Sequence, residues 1–222
     1  MIKLGFLGCG RVAQRHIEVC RDELTNAKVL AVFDTVNEKA LECAKALDAE
    51  CTDSFDQLLN YDLDAIVVLT ESGKHTEHAR SVLEAGKHVI VEKPAALLPN
   101  EIFETEKLAA KQGLMYSVIL QNRLNPAMIK LKETFDKGRF GKLVLATIRL
   151  RWCRLQNYYE DGWHGTWKMD GGVINQQAIH HLDALQWICG PIQEVVAAQT
   201  NALNRLEAED TTVATVKFLN GS

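Results

Sequence analysis

The stretch Ile2-Lys3-Leu4-Gly5-Phe6-Leu7-Gly8-Cys9-Gly10-Arg11-Val12-Ala13 decides how the rest of the chain is read. Its first six residues are mostly apolar and lack polar alternation, as in a strand buried on both faces. They stop at a G-x-G-x-x-A turn, Gly8 to Ala13, after which Val12, Ala13, His16, Ile17 and Cys20 recur at helical spacing. Each small residue has a task. Gly8 permits a tight turn, Gly10 lets a pyrophosphate approach the backbone, and Ala13 lets the helix lie close to the strand. The helix start, at Arg11 and Val12, then offers free N–H groups and a positive dipole end to phosphate.

Outward from this turn the same rhythm repeats. Residues 29–33, 65–69, His88–Val91 and 115–120 read as buried strands, and 38–47, 75–85 and 99–111 as helices. Gly86 and Gly113 stand where helices stop, and Pro94 ends a strand. Strands separated by helices imply a doubly wound parallel sheet covered on both faces. Asp34 ends the second strand, 24 positions beyond Gly10. A carboxylate there accepts hydrogen bonds from a ribose diol and repels a 2′-phosphate, so the expected cofactor is NAD, with NADP less favoured.

After Gln121 the rhythm changes. Residues 125–137 read as a helix, 143–152 as a half-exposed antiparallel strand, 156–172 as a long loop rich in Gly, Trp and Tyr, and 173–189 as a helix stopped by Gly190-Pro191. Ile192–Thr200 and 211–219 read as antiparallel strands. The expected division is a dinucleotide-binding domain over 1–121 and an α+β domain with an open, mostly antiparallel sheet over 122–222, for substrate binding and dimerisation. Asn220-Gly221-Ser222 is hairpin-turn chemistry, which predicts a further strand and a second domain incomplete at its C-terminus.

Bulk properties narrow the function classes. Of 222 residues, 47% are hydrophobic and 24% charged, so the chain can bury a core. The 25 basic and 29 acidic residues give a net charge of -4 with no basic tract, which argues against nucleic-acid binding. No apolar run is long enough to span a bilayer, and the start lacks a signal-peptide pattern. Cys9, Cys20, Cys43, Cys51, Cys153 and Cys189 form no CxxC pair, so reduced thiols in a cytoplasmic protein, and no metal site, are expected.

Two further places carry chemistry. Glu92-Lys93-Pro94 ends a parallel strand, on the sheet edge that faces the ligand crevice. Lys93 there either hydrogen-bonds and polarises a substrate hydroxyl or is a solvated lysine beside a helix start. The Pro94 peptide is a candidate cis bond. In the second domain, the run from Asp170 to Asp183 is dense in polar groups for an apolar helix. Gln176 and His180 are i,i+4 and His180 and Asp183 i,i+3, so helical spacing places them roughly on one face. His180 suits proton transfer near neutral pH, with Gln176 or Asp183 orienting its ring, although a lone histidine on such a face also fits a hydrogen-bonded core position. His181 points elsewhere.

These signals, in this order, resemble the Gfo/Idh/MocA oxidoreductases along the whole chain. The matching features are Gly8–Ala13, the Glu92-Lys93-Pro94 corner and the Gly-rich helix start leading to His180-x-x-Asp183. The resemblance implies NAD-dependent oxidation of a sugar hydroxyl, with Lys93 and His180 as the catalytic pair and His180 as general base. It implies cofactor contacts from Thr70, His75 and Glu92, and homodimers or homotetramers built through the open sheet face. Gln176 departs from the aspartate common at that position; it can orient a substrate but cannot carry a proton. The segments Gln121–Pro126, Gly138–Leu143 and Tyr158–Gly172 resemble the UDP-N-acetylglucosaminuronate 3-dehydrogenase branch, which oxidises a sugar C3 hydroxyl. A uronate carboxylate calls for an arginine fork, and Arg123 and Arg154 are the candidates, with Asn175 and Asp183 as further substrate contacts. Tyr158, Tyr159, Trp163 and Trp167 either stack on sugar or uracil faces or pack the loop. The alternatives are an inositol or simple-sugar dehydrogenase, an NAD-dependent glycosidase, or a catalytically silent NAD-binding regulator.

Overall fold

The computed structural model describes residues Met1–Ser222. They divide into two compact units, Met1–Ile119 and Leu120–Ser222.

In the first unit, β1 (Ile2–Leu7), β2 (Ala27–Phe33), β3 (Glu50–Cys51), β4 (Ala65–Val68), β5 (His88–Val91) and β6 (Tyr116–Val118) form one parallel sheet in the order β3-β2-β1-β4-β5-β6. The order reverses between β1 and β4, and a crevice for a ligand opens at the carboxyl ends of strands flanking such a switch. Helices α1 (Ala13–Asp22), α2 (Asn37–Leu47), α3 (Phe55–Asn60), α4 (His75–Glu84) and α5 (Pro99–Gln112) connect the strands.

The strand pleat divides the core in two. Leu4, Phe6, Val29, Val32, Ala65 and Val67 join Ala13, Ile17, Ala40 and Ala44 of α1 and α2 in one cluster. Leu7, Ala31, Ile66, Val68, Val89 and Val91 join Leu58 of α3, Ala79, Val82 and Leu83 of α4 and Ala109 of α5 in the other. Adjacent residues such as Ile66 and Val67 are both buried yet face opposite clusters, which is why these strands carry no polar alternation. β3 and α3 are too short to show a period, and the sequence reading contains neither.

The second unit holds α6 (Pro126–Asp136), α7 (Ile179–Cys189) and an antiparallel pair, β7 (Ile192–Thr200) with β8 (Thr211–Phe218). Asn125 caps α6 by accepting from the Ala127 N–H, and Pro126 occupies the first turn, where its missing donor costs nothing. Residues 143–152 depart from expectation. The segment is not in a strand ladder, because nothing pairs with its backbone, and Val144 and Leu145 are 77% and 79% exposed. An apolar cavity of about 780 Å³ lies between this segment, α6 and α7, lined by side chains such as Met128, Phe135, Leu145 and Leu185. No helix is long and apolar enough to cross a membrane.

The loop between β7 and β8 is organised by one carboxylate. Asp210 accepts from the backbone N–H groups of Ala202, Leu203 and Asn204 and from the Thr211 hydroxyl. Partial burial pushes its pKa up, but these donors outweigh that and bring it down to about 2. A depressed carboxyl pKa stabilises the fold above the unfolded value near 4, and that contribution is lost as pH falls towards 2. Thermal midpoints of the protein should therefore fall between pH 4 and pH 2. Asp210→Asn should lower the midpoint at neutral pH, by an amount equivalent to roughly 1–2 kcal/mol, and should flatten that acid limb.

Candidate functional site

In the first unit, three backbone ends meet at the switch point. The Gly8 N–H donates to Phe33 O at 2.8 Å, and the Leu69 N–H donates to Leu7 O at 2.8 Å, so the turn is stitched to the ends of β2 and β4. Gly8 has φ +98°, and a Cβ there would lie 2.8 Å from Leu69 C and 2.9 Å from Thr70 N. Only glycine fits. A Cβ on Gly10 would meet nothing within 4 Å, leaving open space on the side where a pyrophosphate would approach the backbone. Ala13 is fully buried at the start of α1, while Arg11 and Val12 are exposed ahead of it.

Asp34 has a structural task as well as the one expected of it. Its Oδ2 accepts from the Cys9 N–H at 2.7 Å, and its Oδ1 accepts from the Val36 N–H at 2.8 Å. The carboxylate thus ties the glycine turn to the end of β2. Each oxygen keeps a second lone pair for a ribose hydroxyl.

At the end of β5, Glu92 is buried and accepts from His16 Nε2 of α1 at 2.9 Å and from the Lys93 N–H at 3.1 Å. Burial would raise the Glu92 pKa, but these donors and the His16 and Lys93 charges hold it below the usual range. The Lys93–Pro94 peptide is cis. His75 is 1% exposed, with Nδ1 2.7 Å from Pro94 O and Nε2 2.9 Å from Thr70 O. Burial pushes its pKa down, against the opposing pull of the two carbonyl oxygens, and the ring links the Thr70 and Pro94 backbones. The Thr70 hydroxyl is hydrogen-bonded to His78 Nδ1 at 2.9 Å. His16 escaped the sequence reading because its partner lies 76 residues away.

In the second unit, the run before α7 winds as a π-turn over Ile174–Ala178. Its i→i+5 pattern replaces the α spacing expected for Gln176 and His180. Both side chains are buried, at 8% exposure each. Asp183 does not serve as the expected partner for the imidazole. Arg123 Nε donates to Asp183 Oδ2 at 2.8 Å and Nη2 donates to Oδ1, a bidentate fork that engages both carboxylate oxygens. Asn175 Nδ2 donates to Gly171 O at 2.9 Å, which fastens the helix start.

Glu209 is a further residue the sequence did not reveal. It is 5% exposed, and its Oε1 accepts from the Ile174 N–H at 3.1 Å, placing a carboxylate at the positive end of the π-turn and α7. Gly172, at φ +79°, makes room for it, since a Cβ there would fall 2.0 Å from Glu209 Oε2.

A glycine turn at a sheet switch point, an acid ending β2 and a basic corner ending β5 define a dinucleotide-binding oxidoreductase fold. Residues 2–120 match the oxidoreductase family with an NAD-binding Rossmann fold, and residues 128–222 match the GFO/IDH/MocA C-terminal domain. The chain therefore belongs to the Gfo/Idh/MocA family. Its structure is similar to that of the WlbA dehydrogenase from Chromobacterium violaceum, solved with NADH and UDP-GlcNAcA, at 32% identity and TM-score 0.96, covering 100% of this chain and 65% of that one. The Bordetella pertussis WlbA dehydrogenase, solved with the same pair, gives 34% identity and TM-score 0.96, covering 100% and 67%. Inositol 2-dehydrogenase 2 of Saccharopolyspora erythraea is 25% identical over 99% of this chain and 64% of its own length.

Proposed function

We propose that the protein oxidises a secondary hydroxyl of a nucleotide sugar, at C3 of UDP-N-acetylglucosaminuronate, with NAD as cofactor. The observation that carries the redox reading is the glycine turn closed by Asp34, with open space at Gly10. The likeness to two dehydrogenases holding NADH and UDP-GlcNAcA supports the sugar.

Gly8, Gly10, Arg11 and Val12 would hold the pyrophosphate of NAD, Asp34 the adenosine ribose, and the Thr70 and Glu92-Lys93 backbones the nicotinamide half. When bound, NAD supplies the acceptor for the hydride that leaves the sugar carbon. Lys93 donates a hydrogen bond to the reacting hydroxyl and stabilises negative charge building on its oxygen. His180 accepts the hydroxyl proton, so the C–H electron pair leaves as hydride and the O–H electron pair becomes the new carbonyl bond. Gln176 orients the substrate without titrating. His16 and His75 hold the corner around Lys93 through Glu92 Oε1 and Pro94 O.

The test is NADH formation when the protein and NAD meet UDP-N-acetylglucosaminuronate, UDP-N-acetylglucosamine, myo-inositol or glucose. The expected result is a kcat/KM for the uronate roughly a hundredfold above that for inositol, a difference of about 2.7 kcal/mol in transition-state binding. NADH from inositol alone would move the protein to the inositol class. NAD binding with no turnover on any of the four would leave a silent NAD-binding protein.

A further inference from the structure

The two arginines suited to an acidic substrate group occupy opposite states. Arg123 is neutralised by its fork onto Asp183, whose side chain is only 12% exposed. The Asp183 hydrogen bond also raises the Arg123 pKa, so that charge is compensated within the fold. Arg154 has no carboxylate partner. Its guanidinium carbon stands 5.6 Å from the Trp152 ring centroid and 5.4 Å from that of Tyr158. Its one hydrogen bond, Nη1 to Cys153 O, is long at 3.3 Å.

Contact with aromatic rings uses the faces of a guanidinium and leaves its in-plane N–H donors free. That is the fork a carboxylate matches with two parallel hydrogen bonds. Tyr158 is fixed from behind. Its hydroxyl lies 3.1 Å from His164 Nε2, and His164 Nδ1 lies 2.5 Å from Asp161 Oδ2. His164 Nδ1–H donates to the Asp161 carboxylate, and in the neutral ring Nε2 then accepts from the Tyr158 hydroxyl. The His164 side chain is 3% exposed and stacks on Trp163 at 3.6 Å, so this chain of three residues is not free to swing. On the other side, Trp152 meets His181 edge-on at 6.2 Å. One aromatic ring therefore joins Arg154 to the neighbour of His180 on α7.

We infer that Arg154, held by Trp152 and by the Tyr158–His164–Asp161 chain, selects the carboxylate of an acidic sugar, and that Arg123 does not. This rests on the nucleotide-uronate reading above and adds the residue that discriminates acid from neutral substrate. A preorganised guanidinium loses little side-chain freedom on binding, so its fork can distinguish a carboxylate from a hydroxymethyl group at the same sugar position.

The experiment is calorimetric binding, with NADH present, of UDP-N-acetylglucosaminuronate and UDP-N-acetylglucosamine to the protein and to Arg154→Gln, Arg154→Lys and Arg123→Gln. Arg154→Gln should weaken the uronate about a hundredfold and the neutral sugar no more than about threefold. Arg154→Lys, which keeps the charge but lacks the fork, should weaken the uronate about tenfold and serves alone if the glutamine variant does not fold. Arg123→Gln should lower the thermal midpoint and shift both ligands alike. Equal weakening of both ligands in the Arg154 variants, which would place the arginine on the shared diphosphate, overturns the inference. So does an acid preference that survives at Arg154 or collapses at Arg123. If the unsubstituted protein binds the uronate no better than the neutral sugar, the uronate reading itself falls and the inference falls with it.

Discussion

Replacing His180 by alanine is expected to lower kcat by about 10²–10⁴-fold while NADH affinity stays unchanged. His180 is the buried titratable ring on α7, immediately after the π-turn, and Asp183, the carboxylate three residues on, is taken by Arg123. In the proposed mechanism, loss of His180 as general base leaves water to accept the hydroxyl proton. The residual rate of His180→Ala should therefore rise with pH beyond the point where the rate of the unsubstituted protein levels off. A purely structural role would instead lower activity equally across the pH range. Steady-state NADH formation across a pH series, with NADH affinity from fluorescence, makes the comparison. Turnover equal to that of the unsubstituted protein would remove His180 from the mechanism.

The second large effect is at Gly8. Gly8→Ala places a methyl group 2.8 Å from Leu69 C and 2.9 Å from both Leu69 O and Thr70 N, at a φ of +98°. The obstacles are backbone atoms held by the Leu69 N–H to Leu7 O hydrogen bond, so no side chain can rotate out of the way. The left-handed conformation costs about 1–2 kcal/mol and the overpacking about 1–3 more, giving roughly 3 kcal/mol and a thermal shift on the order of 6–12 °C. The variant should also lose NADH binding, because relief of the clash moves the turn that would cradle the phosphates. Gly10→Ala is the control. Its methyl group meets no protein atom, so it should keep its thermal midpoint while weakening NADH. An unaltered midpoint in Gly8→Ala would show that the two strand ends are not locked as described.

Local chemistry made much of this molecule legible. The run Ile2–Leu7, the glycine turn and Asp34 are read from neighbours in the chain, and the parallel sheet is built around them. The antiparallel pair was legible for the same reason, since Ile192–Thr200 and Thr211–Phe218 carry extended character of their own. Residues 143–152 have the same character but no ladder, because a strand needs a partner and residue pattern cannot supply one. The π-turn was hidden because its residues keep helical propensity whichever carbonyl their N–H groups choose. Pairings set by tertiary contact were likewise invisible. His16 with Glu92 and Arg123 with Asp183 join residues 76 and 60 positions apart, and the second of these engages the Arg123 guanidinium within the fold.

Asp34 bears on any attempt to re-engineer cofactor preference. Exchanging an acid at this position for a small neutral residue is the obvious route towards accepting a 2′-phosphate, since the repelling charge is removed. Here the same carboxylate accepts from Cys9 and Val36, so the exchange would also untie the glycine loop from the second strand. Asparagine keeps only one acceptor oxygen and serine only a hydroxyl, so neither holds both ends as Asp34 does. The carboxylate is therefore an anchor as well as a charge, and a designer who wants NADP would have to rebuild the loop's anchor along with the charge.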